Sequence, residues 1–301
     1  MIAIVSHDAG GAEILSSWVL LQSEPYCLVL SGSAIGIFQR KLRHCKILSL
    51  EIALDKSDWM LSGTSWQSDI ELKAIKQFKE VGKKTIAFLD HWKNYYERFI
   101  VDGLLVLPDI IWVGDTYAEK IARDTFPTLP VILQKNPYLD AIECEFEQKM
   151  QPKKTKNGSR ILYVCEPISE SALLQYGDEY YWGYTEEEAV EYFLQNISSL
   201  DLKIDKIIIR PHPSENKIKY DWVRQKYDFN IHMGGADSLL KEISLADILV
   251  GCDSMAMVVG LIAKKRVVSC VPPGGRKCCL PHDGIEHMHL LTAAHSGSKD
   301  G

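Results

Sequence analysis

Reactive side chains in this 301-residue chain gather where apolar runs give way to polar residues bracketed by glycine or proline. Ile2 to Ser6 leads into His7-Asp8-Ala9-Gly10-Gly11-Ala12-Glu13. A glycine pair lets backbone pass close to a ligand, and a helix opening there favours an anionic or hydrogen-bond-accepting group. On that reading Asp8 is a general base, with Gly10 and Gly11 against the substrate; as a plain helix start, Asp8 is an N-cap and the glycines are turn residues. A second segment follows the apolar run Thr85–Leu89: Asp90-His91-Trp92-Lys93-Asn94-Tyr95-Tyr96. Here Asp90 is an alternative base, with His91 and Tyr95 as substrate contacts, unless the aromatics form a satellite cluster under a loop. Asp115, after Ile110–Val113, is a third candidate carboxylate that reads better as a helix cap.

The later half holds two more such segments. Ile207-Ile208-Ile209 ends in Arg210-Pro211-His212-Pro213-Ser214-Glu215, where the prolines restrict φ and present His212 in one orientation. Arg210 and His212 can both donate to anionic oxygens, which suits a phosphate. The alternative is a strand-end turn with a solvent-facing His. Asp247 to Val250 then runs through Gly251-Cys252 to Asp253-Ser254 and the apolar Met255–Ala263. A serine at a helix start forms an anion site with the first helical N–H groups, and simple capping by Asp or Ser explains the pair equally well in isolation. Glu166, just past Ile161–Val164, is a further candidate nucleotide contact, and Pro272-Pro273-Gly274-Gly275-Arg276-Lys277 adds positive charge at the rim.

The elements that must position these residues alternate between short apolar runs and amphipathic stretches, the βαβα pattern of parallel sheets covered on both faces. Strands are predicted at Ile2–Ser6, Tyr26–Leu30, Cys45–Leu48, Trp59–Leu61, Thr85–Leu89, Ile110–Val113 and Val131–Leu133, with helices at Gly11–Gln22 and Gln67–Val81. Gly82 supplies a C-cap to the latter. Gln151–Ser159 is polar and turn-rich and reads as a linker, after which come strands Arg160–Val164, Lys206–Ile209, Ile248–Val250 and Arg266–Cys270 and helices Glu186–Ser198, Ser238–Leu245 and Met255–Ala263. The expectation is an α/β protein of two Rossmann-like domains facing across a cleft: 1–150 for an acceptor and 151–301 for a nucleotide, with ligands at the carboxyl ends of the strands.

Composition narrows the function. Apolar residues make up 46% and charged residues 25%, as in ordinary globular proteins, and a formal charge of -6 argues against broad nucleic-acid binding. No run approaches the length of a transmembrane helix and no basic segment precedes the first apolar stretch, so a cytoplasmic protein is expected, with peripheral membrane association left open. The eight cysteines are scattered and read as reduced. Cys278 and Cys279 with His282, His287 and His289 lack zinc-ligand spacing, so neither metal nor cofactor is expected.

His212-Pro213 after one strand, with Ser254 about forty residues later at a helix start, resembles the two-domain GT-B glycosyltransferases, and within them the bacterial sialyltransferases and related nonulosonate transferases of capsule and lipopolysaccharide synthesis. The resemblance implies that His212, Pro213 and Ser254 hold the CMP part of a CMP-sugar, and that an acidic residue of the first half serves as base within an acidic-acidic-Gly motif. Asp8-Ala9-Gly10 departs from that motif. Similar Arg-x-His-Pro and Asp-Ser segments occur in UDP-GlcNAc 2-epimerases and teichoic-acid-type glycerophosphotransferases. In UDP-using relatives an acid a few residues into the helix after the serine grips the ribose, and Met255–Ala263 has none. The implied activity is metal-independent transfer of a sugar such as sialic acid or Kdo from a CMP-sugar onto a bacterial glycan or glycolipid. The alternatives are a UDP-GlcNAc 2-epimerase-like enzyme, a UDP-sugar transferase, and a non-catalytic nucleotide- or glycan-binding protein.

Overall fold

The computed structural model describes residues 1–66, 68–149, 157–216 and 218–297. The chain divides into two compact α/β units, Met1–Ala141 and Ile142–Gly301. Residues 151–156 of the expected linker, and Gln67 at the expected start of one helix, lie outside the described residues.

Unit one runs β1 (Ile2–Ser6), α1 (Ala9–Val19), β2 (Tyr26–Leu30), α2 (Ser33–Lys41), α3 (Leu50–Lys56), β3 (Trp59–Ser62), α4 (Ile70–Glu80) and β4 (Lys84–Leu89). A small antiparallel hairpin follows, β5 (Ile100–Val101) with β6 (Leu104–Leu105), then β7 (Ile110–Val113), α5 (Thr116–Thr125), β8 (Val131–Leu133) and α6 (Pro137–Lys149), in which the division falls. Six parallel strands form a sheet in the order β2-β1-β3-β4-β7-β8. β1 is buried along its whole length because helices cover both faces of the sheet, which is why it reads as an unbroken apolar run. Ile4, Leu15, Trp18, Leu28, Phe38 and Phe88 are among the residues of the core. α4 ends as expected, with Gly82 at a left-handed φ of 72° just beyond it. Cys45–Leu48 is not a strand: Ile47 makes one isolated bridge to Leu28, and the segment packs too little to extend the ladder.

Unit two runs β9 (Ser159–Val164), α7 (Ile168–Tyr176), α8 (Glu186–Gln195), β10 (Ile204–Arg210), α9 (Val223–Lys226), β11 (Ile231–Met233), α10 (Leu239–Leu245), β12 (Ile248–Gly251), α11 (Met255–Ile262), β13 (Arg266–Ser269), β14 (Ile285–His287) and α12 (Met288–Gly297). Its six strands are also all parallel, ordered β11-β10-β9-β12-β13-β14. Counted along the chain this is 3-2-1-4-5-6, the order of dinucleotide-binding folds. α8 is held at its start by a reciprocal capping box between Thr185 and Glu188. Tyr163, Phe193, Ile207, Ile209 and Val250 lie in its core. Both units are therefore Rossmann-like, and among the described residues no helix is long and apolar enough to cross a membrane.

Candidate active site

Strand order fixes where each sheet can bind a ligand, because adjacent connections leave on opposite faces where the order reverses and open a crevice at the carboxyl ends. In unit one that point lies between β1 and β3, and in unit two between β9 and β12. Asp8 follows β1, Glu166 follows β9 and Asp253-Ser254 follows β12, while the Asp90 and His212 segments leave the neighbouring strands β4 and β10.

At the unit-one switch point, Gly11 and Gly63 approach so closely that a Cβ on Gly11 would lie 3.1 Å from the Gly63 Cα. Gly10 faces Asp90, whose Oδ2 would be 1.9 Å from a Cβ at that position. The two glycines thus allow the ends of β1, β3 and β4 to converge, bringing Asp8 and Asp90 to either side of one turn. Neither carboxylate stands alone. Asp8 Oδ1 is 2.6 Å from His7 Nδ1 and Asp8 Oδ2 accepts the Trp66 N–H at 2.9 Å. Asp8 occupies the N-cap position of α1 but its side chain caps nothing. Asp90 Oδ1 accepts from Arg98 Nη1 at 2.9 Å and from Thr64 Oγ1 at 3.3 Å, in a pair whose side chains are 11% and 7% exposed. Beneath them Glu71 accepts the His7 N–H at 2.9 Å and the Ser65 hydroxyl at 2.5 Å. Burial raises the Glu71 carboxyl above its ordinary range against the pull of those hydrogen bonds.

His7 was not among the sequence candidates, yet its ring is the group that Asp8 orients. The imidazole lies against Gly32, which has φ 53° and would set a Cβ 2.5 Å from His7 Nε2. The signal in the sequence was the adjacency of His7 and Asp8, which alone does not distinguish a dyad from two solvated neighbours.

The loop after β4 corrects one expectation. Tyr95 is 3% exposed and its hydroxyl is buried without a hydrogen-bond partner, so it packs inside unit one and does not present a substrate contact. Burial raises its phenol well above the usual value. Trp92 is also buried and donates from Nε1 to Asp115 at 2.8 Å, whereas Tyr96 is 47% exposed. Asp115 meanwhile caps α5 by accepting the Ala118 N–H at 2.7 Å. His91 accepts the Trp92 N–H on Nδ1 at 2.9 Å.

In unit two, Glu166, His212 and Ser254 stand in a row along the carboxyl edge, on the exits of β9, β10 and β12. β9 lies between the other two strands, so His212 and Ser254 are not on neighbouring strand ends. Glu166 Oε2 accepts the Asp253 N–H at 2.8 Å and so spans the switch point. His212 sits in a turn closed by the Glu215 N–H to the His212 carbonyl at 2.9 Å, with Pro213 next in line. Its Nδ1 meets Ser214 Oγ at 2.7 Å, which leaves Nε2 for a ligand. Burial lowers its affinity for a proton, against the attraction of Glu215 and Glu170. Glu215 supports the turn from below by accepting the His212 N–H and the Tyr220 hydroxyl at 2.8 and 2.7 Å. Ser254 accepts the Ala256 N–H at 3.2 Å, so its hydroxyl hydrogen points away from α11.

Two residues expected to bind nucleotide are engaged elsewhere. Arg210 Nη1 donates to Glu242 Oε2 at 2.6 Å and to the Asp237 carbonyl at 3.0 Å, turning toward β11 and away from the row. Asp253 is 7% exposed and ties down the loop after β13, accepting from Arg276 Nη2 at 3.1 Å and from the Cys279 N–H at 2.8 Å. The charge of Arg276 expected at the rim is therefore matched, and its guanidinium stacks on Trp182 at 4.8 Å. Among the described residues no three His, Cys, Asp or Glu side chains cluster as metal ligands.

No protein-family model and no curated protein sequence matches the chain. Solved structures do match in fold. The UDP-GlcNAc 2-epimerase of Methanocaldococcus jannaschii is similar over 98% of this chain and 91% of its own, with a TM-score of 0.63 at 10% identity. The UDP-GlcNAc 2-epimerase of Neisseria meningitidis, bound to UDP-GlcNAc, covers 99% and 91% with a TM-score of 0.59 at 11% identity. The glycotransferase of kitacinnamycin covers 99% and 92% with a TM-score of 0.56 at 10% identity. The chain shares with them a fold of two Rossmann-like domains.

Proposed function

We propose that this protein is a nucleotide-sugar-dependent glycosyltransferase in which unit two holds the donor nucleotide and unit one binds and activates the acceptor hydroxyl. The observation that carries this reading is the row Glu166, His212 and Ser254 on the reversed strand order of unit two. There, His212 Nε2, the Ser254 hydroxyl and the start of α11 are donors for a leaving phosphate, the point at which negative charge develops as the glycosyl bond breaks. In unit one, His7 takes the acceptor proton on Nε2 while Asp8 holds Nδ1 and stabilises the imidazolium that forms. Asp8 is thereby the positioning residue and not the base, because its two oxygens already serve His7 and Trp66. The buried ion pair with Arg98 makes Asp90 a structural support for the glycine turn.

For the donor we favour a CMP-sugar, with a nonulosonic acid such as sialic acid or Kdo as the glycosyl group and a bacterial surface glycan or glycolipid as acceptor. The first turn of α11 carries no acidic residue that would hold the ribose of a UDP-sugar. The second reading is a UDP-GlcNAc 2-epimerase-like enzyme, favoured by the likeness in fold to two such epimerases. Thermal shift with CMP, CDP, UDP, GDP and ADP, followed by release of nucleotide from a CMP-sugar with and without acceptor, separates them. A ligand at 100 times its Kd stabilises by roughly 2.7 kcal/mol. Larger stabilisation by UDP, and conversion of UDP-GlcNAc with no acceptor present, favour the epimerase; stabilisation by no nucleotide overturns both.

A further inference from the structure

Unit two also contains a pocket of about 440 Å³ that the row above does not use. Its walls are Ser269 of β13, residues of the following loop from Val271 to Gly275 with Lys277 and Cys278, His287 at the end of β14 and His289 in the first turn of α12, a size suited to a sugar-sized ligand. Pro272 and Pro273 make one side apolar, while the titratable groups are Lys277, Cys278, His287 and His289, with no carboxylate in the lining. Two acids beside lining residues are engaged: Glu286, just before His287, pairs with Arg266 Nε at 2.8 Å, and Asp253 is held by Arg276 and the Cys279 N–H. Burial and the nearness of Asp253 push the Cys278 thiol up to about 12, so it brings no negative charge. Burial, and after it the His289 ring 5.6 Å away, lowers the proton affinity of His287, an effect that an anion between the two rings offsets.

Position links this pocket to the nucleotide row. β12, β13 and β14 are consecutive in the sheet, with Gly251 opposite Ser269 and Ser269 opposite His287. Ser254 and the pocket thus leave one edge roughly one to two strand spacings apart, about 5–10 Å. We propose that the pocket receives the carboxylate of an acidic glycosyl unit on the donor, with Lys277, His287 and His289 as the residues that select it. The inference rests on the reading of unit two as a nucleotide-sugar site.

Calorimetric binding of UDP, UDP-glucose, UDP-glucuronate, CMP and CMP-N-acetylneuraminate to the whole protein tests it. The double variant Lys277→Ala/His289→Gln, at two exposed positions, and the single variant His287→Gln are each expected to weaken the acidic sugar nucleotides by about tenfold. UDP, CMP and UDP-glucose are expected to bind as to the wild type. Equal losses for neutral and acidic donors, or no loss for either, overturn the proposal. Absence of any nucleotide binding to the wild type overturns the parent reading instead. In that case titrating free glucuronate and N-acetylneuraminate against histidine-labelled protein decides the pocket: NMR shifts at His287 and His289 support it, and unmoved imidazoles overturn it.

Discussion

Glu166 Oε2 accepts the backbone N–H of Asp253 at 2.8 Å, joining the exits of β9 and β12 where the strand order of unit two reverses. Asp253 is buried, so removing the acceptor strands a polar group, at a cost of about 1–3 kcal/mol. Glu166→Ala is expected to lower Tm by about 2–4 °C per kcal/mol lost and to weaken nucleotide binding. Glu166→Gln retains an oxygen at the same position and is expected to stay near the wild-type Tm. A scanning fluorimetry series on both variants checks this, and an unchanged Tm for the alanine variant refutes it.

His212 differs: Glu215 anchors its turn from below, and the ring adds a bond to the neighbouring Ser214. His212→Ala should leave Tm near the wild-type value while weakening nucleotide binding by about 1.5–3 kcal/mol, the worth of a charge-assisted contact to phosphate. Calorimetry on the folded variant measures it. Undiminished affinity would reduce this histidine to a turn residue.

Glu71 gives a stability prediction with a definite sign in pH. Its folded pKa is raised by burial, so the folded state binds the proton more tightly than the unfolded state does. Stability is therefore lost as pH rises from the ordinary Glu range through the raised value, and the full penalty is present above it. Glu71→Gln keeps an acceptor for the His7 N–H and the Ser65 hydroxyl and removes the buried charge. Its Tm is expected to exceed that of the wild type at pH 7.5, with the gap closing as pH approaches 4.5. A gap independent of pH would show that the charge is not the cause.

Much of this architecture was legible because parallel strands covered on both faces, such as Ile207–Ile209, read as unbroken apolar runs. What failed to read was short or long-range. β11 and β14 are edge strands of three residues interrupted by His232 and Glu286, and their extension comes from a neighbour already in place. Cys45–Leu48 looked like a strand, but Ile47 is 37% exposed and little burial rewards pairing there. The Arg210–Glu242 and Asp90–Arg98 pairs were invisible for the same reason: 32 and 8 residues separate the partners, and only the fold decides whether a strand-end Arg or Asp meets a ligand or another side chain. The glycine pair, the His-Pro turn and the Ser254 cap were legible because each needs only its own few residues.

The Asp90–Arg98 pair predicts an asymmetry. Arg98→Met leaves the Asp90 carboxylate buried without its cation, which typically costs about 3–5 kcal/mol, a large part of a domain's usual stability of about 5–15 kcal/mol. Adding Asp90→Asn removes the orphaned charge and is expected to restore most of the loss. Urea titrations of the single and double variants test the coupling. Equal stability of the two would show that the pair is not the unit that matters, and Asp90 would return as a candidate base.

The last prediction separates a base from the residue that aims it. His7 Nδ1 and Asp8 Oδ1 are 2.6 Å apart, and Asp8 Oδ2 is fixed by the Trp66 N–H, so Asp8 can set the tautomer of His7 without leaving its place. If Nε2 takes the acceptor proton, His7→Gln should cost about 10²–10⁴ in turnover with nucleotide affinity unchanged, since the nucleotide is assigned to unit two. Asp8→Asn keeps an oxygen for Nδ1–H but loses the carboxylate that stabilises the imidazolium. It should cost less than His7→Gln, because the imidazole that takes the proton stays in place. Single-turnover transfer from a CMP-sugar to an acceptor across pH 5 to 9 resolves the two variants. Should Asp8→Asn abolish turnover while His7→Gln preserves it, the carboxylate is the base and the imidazole only its neighbour; should both retain near-normal rates, acceptor activation does not occur at this turn.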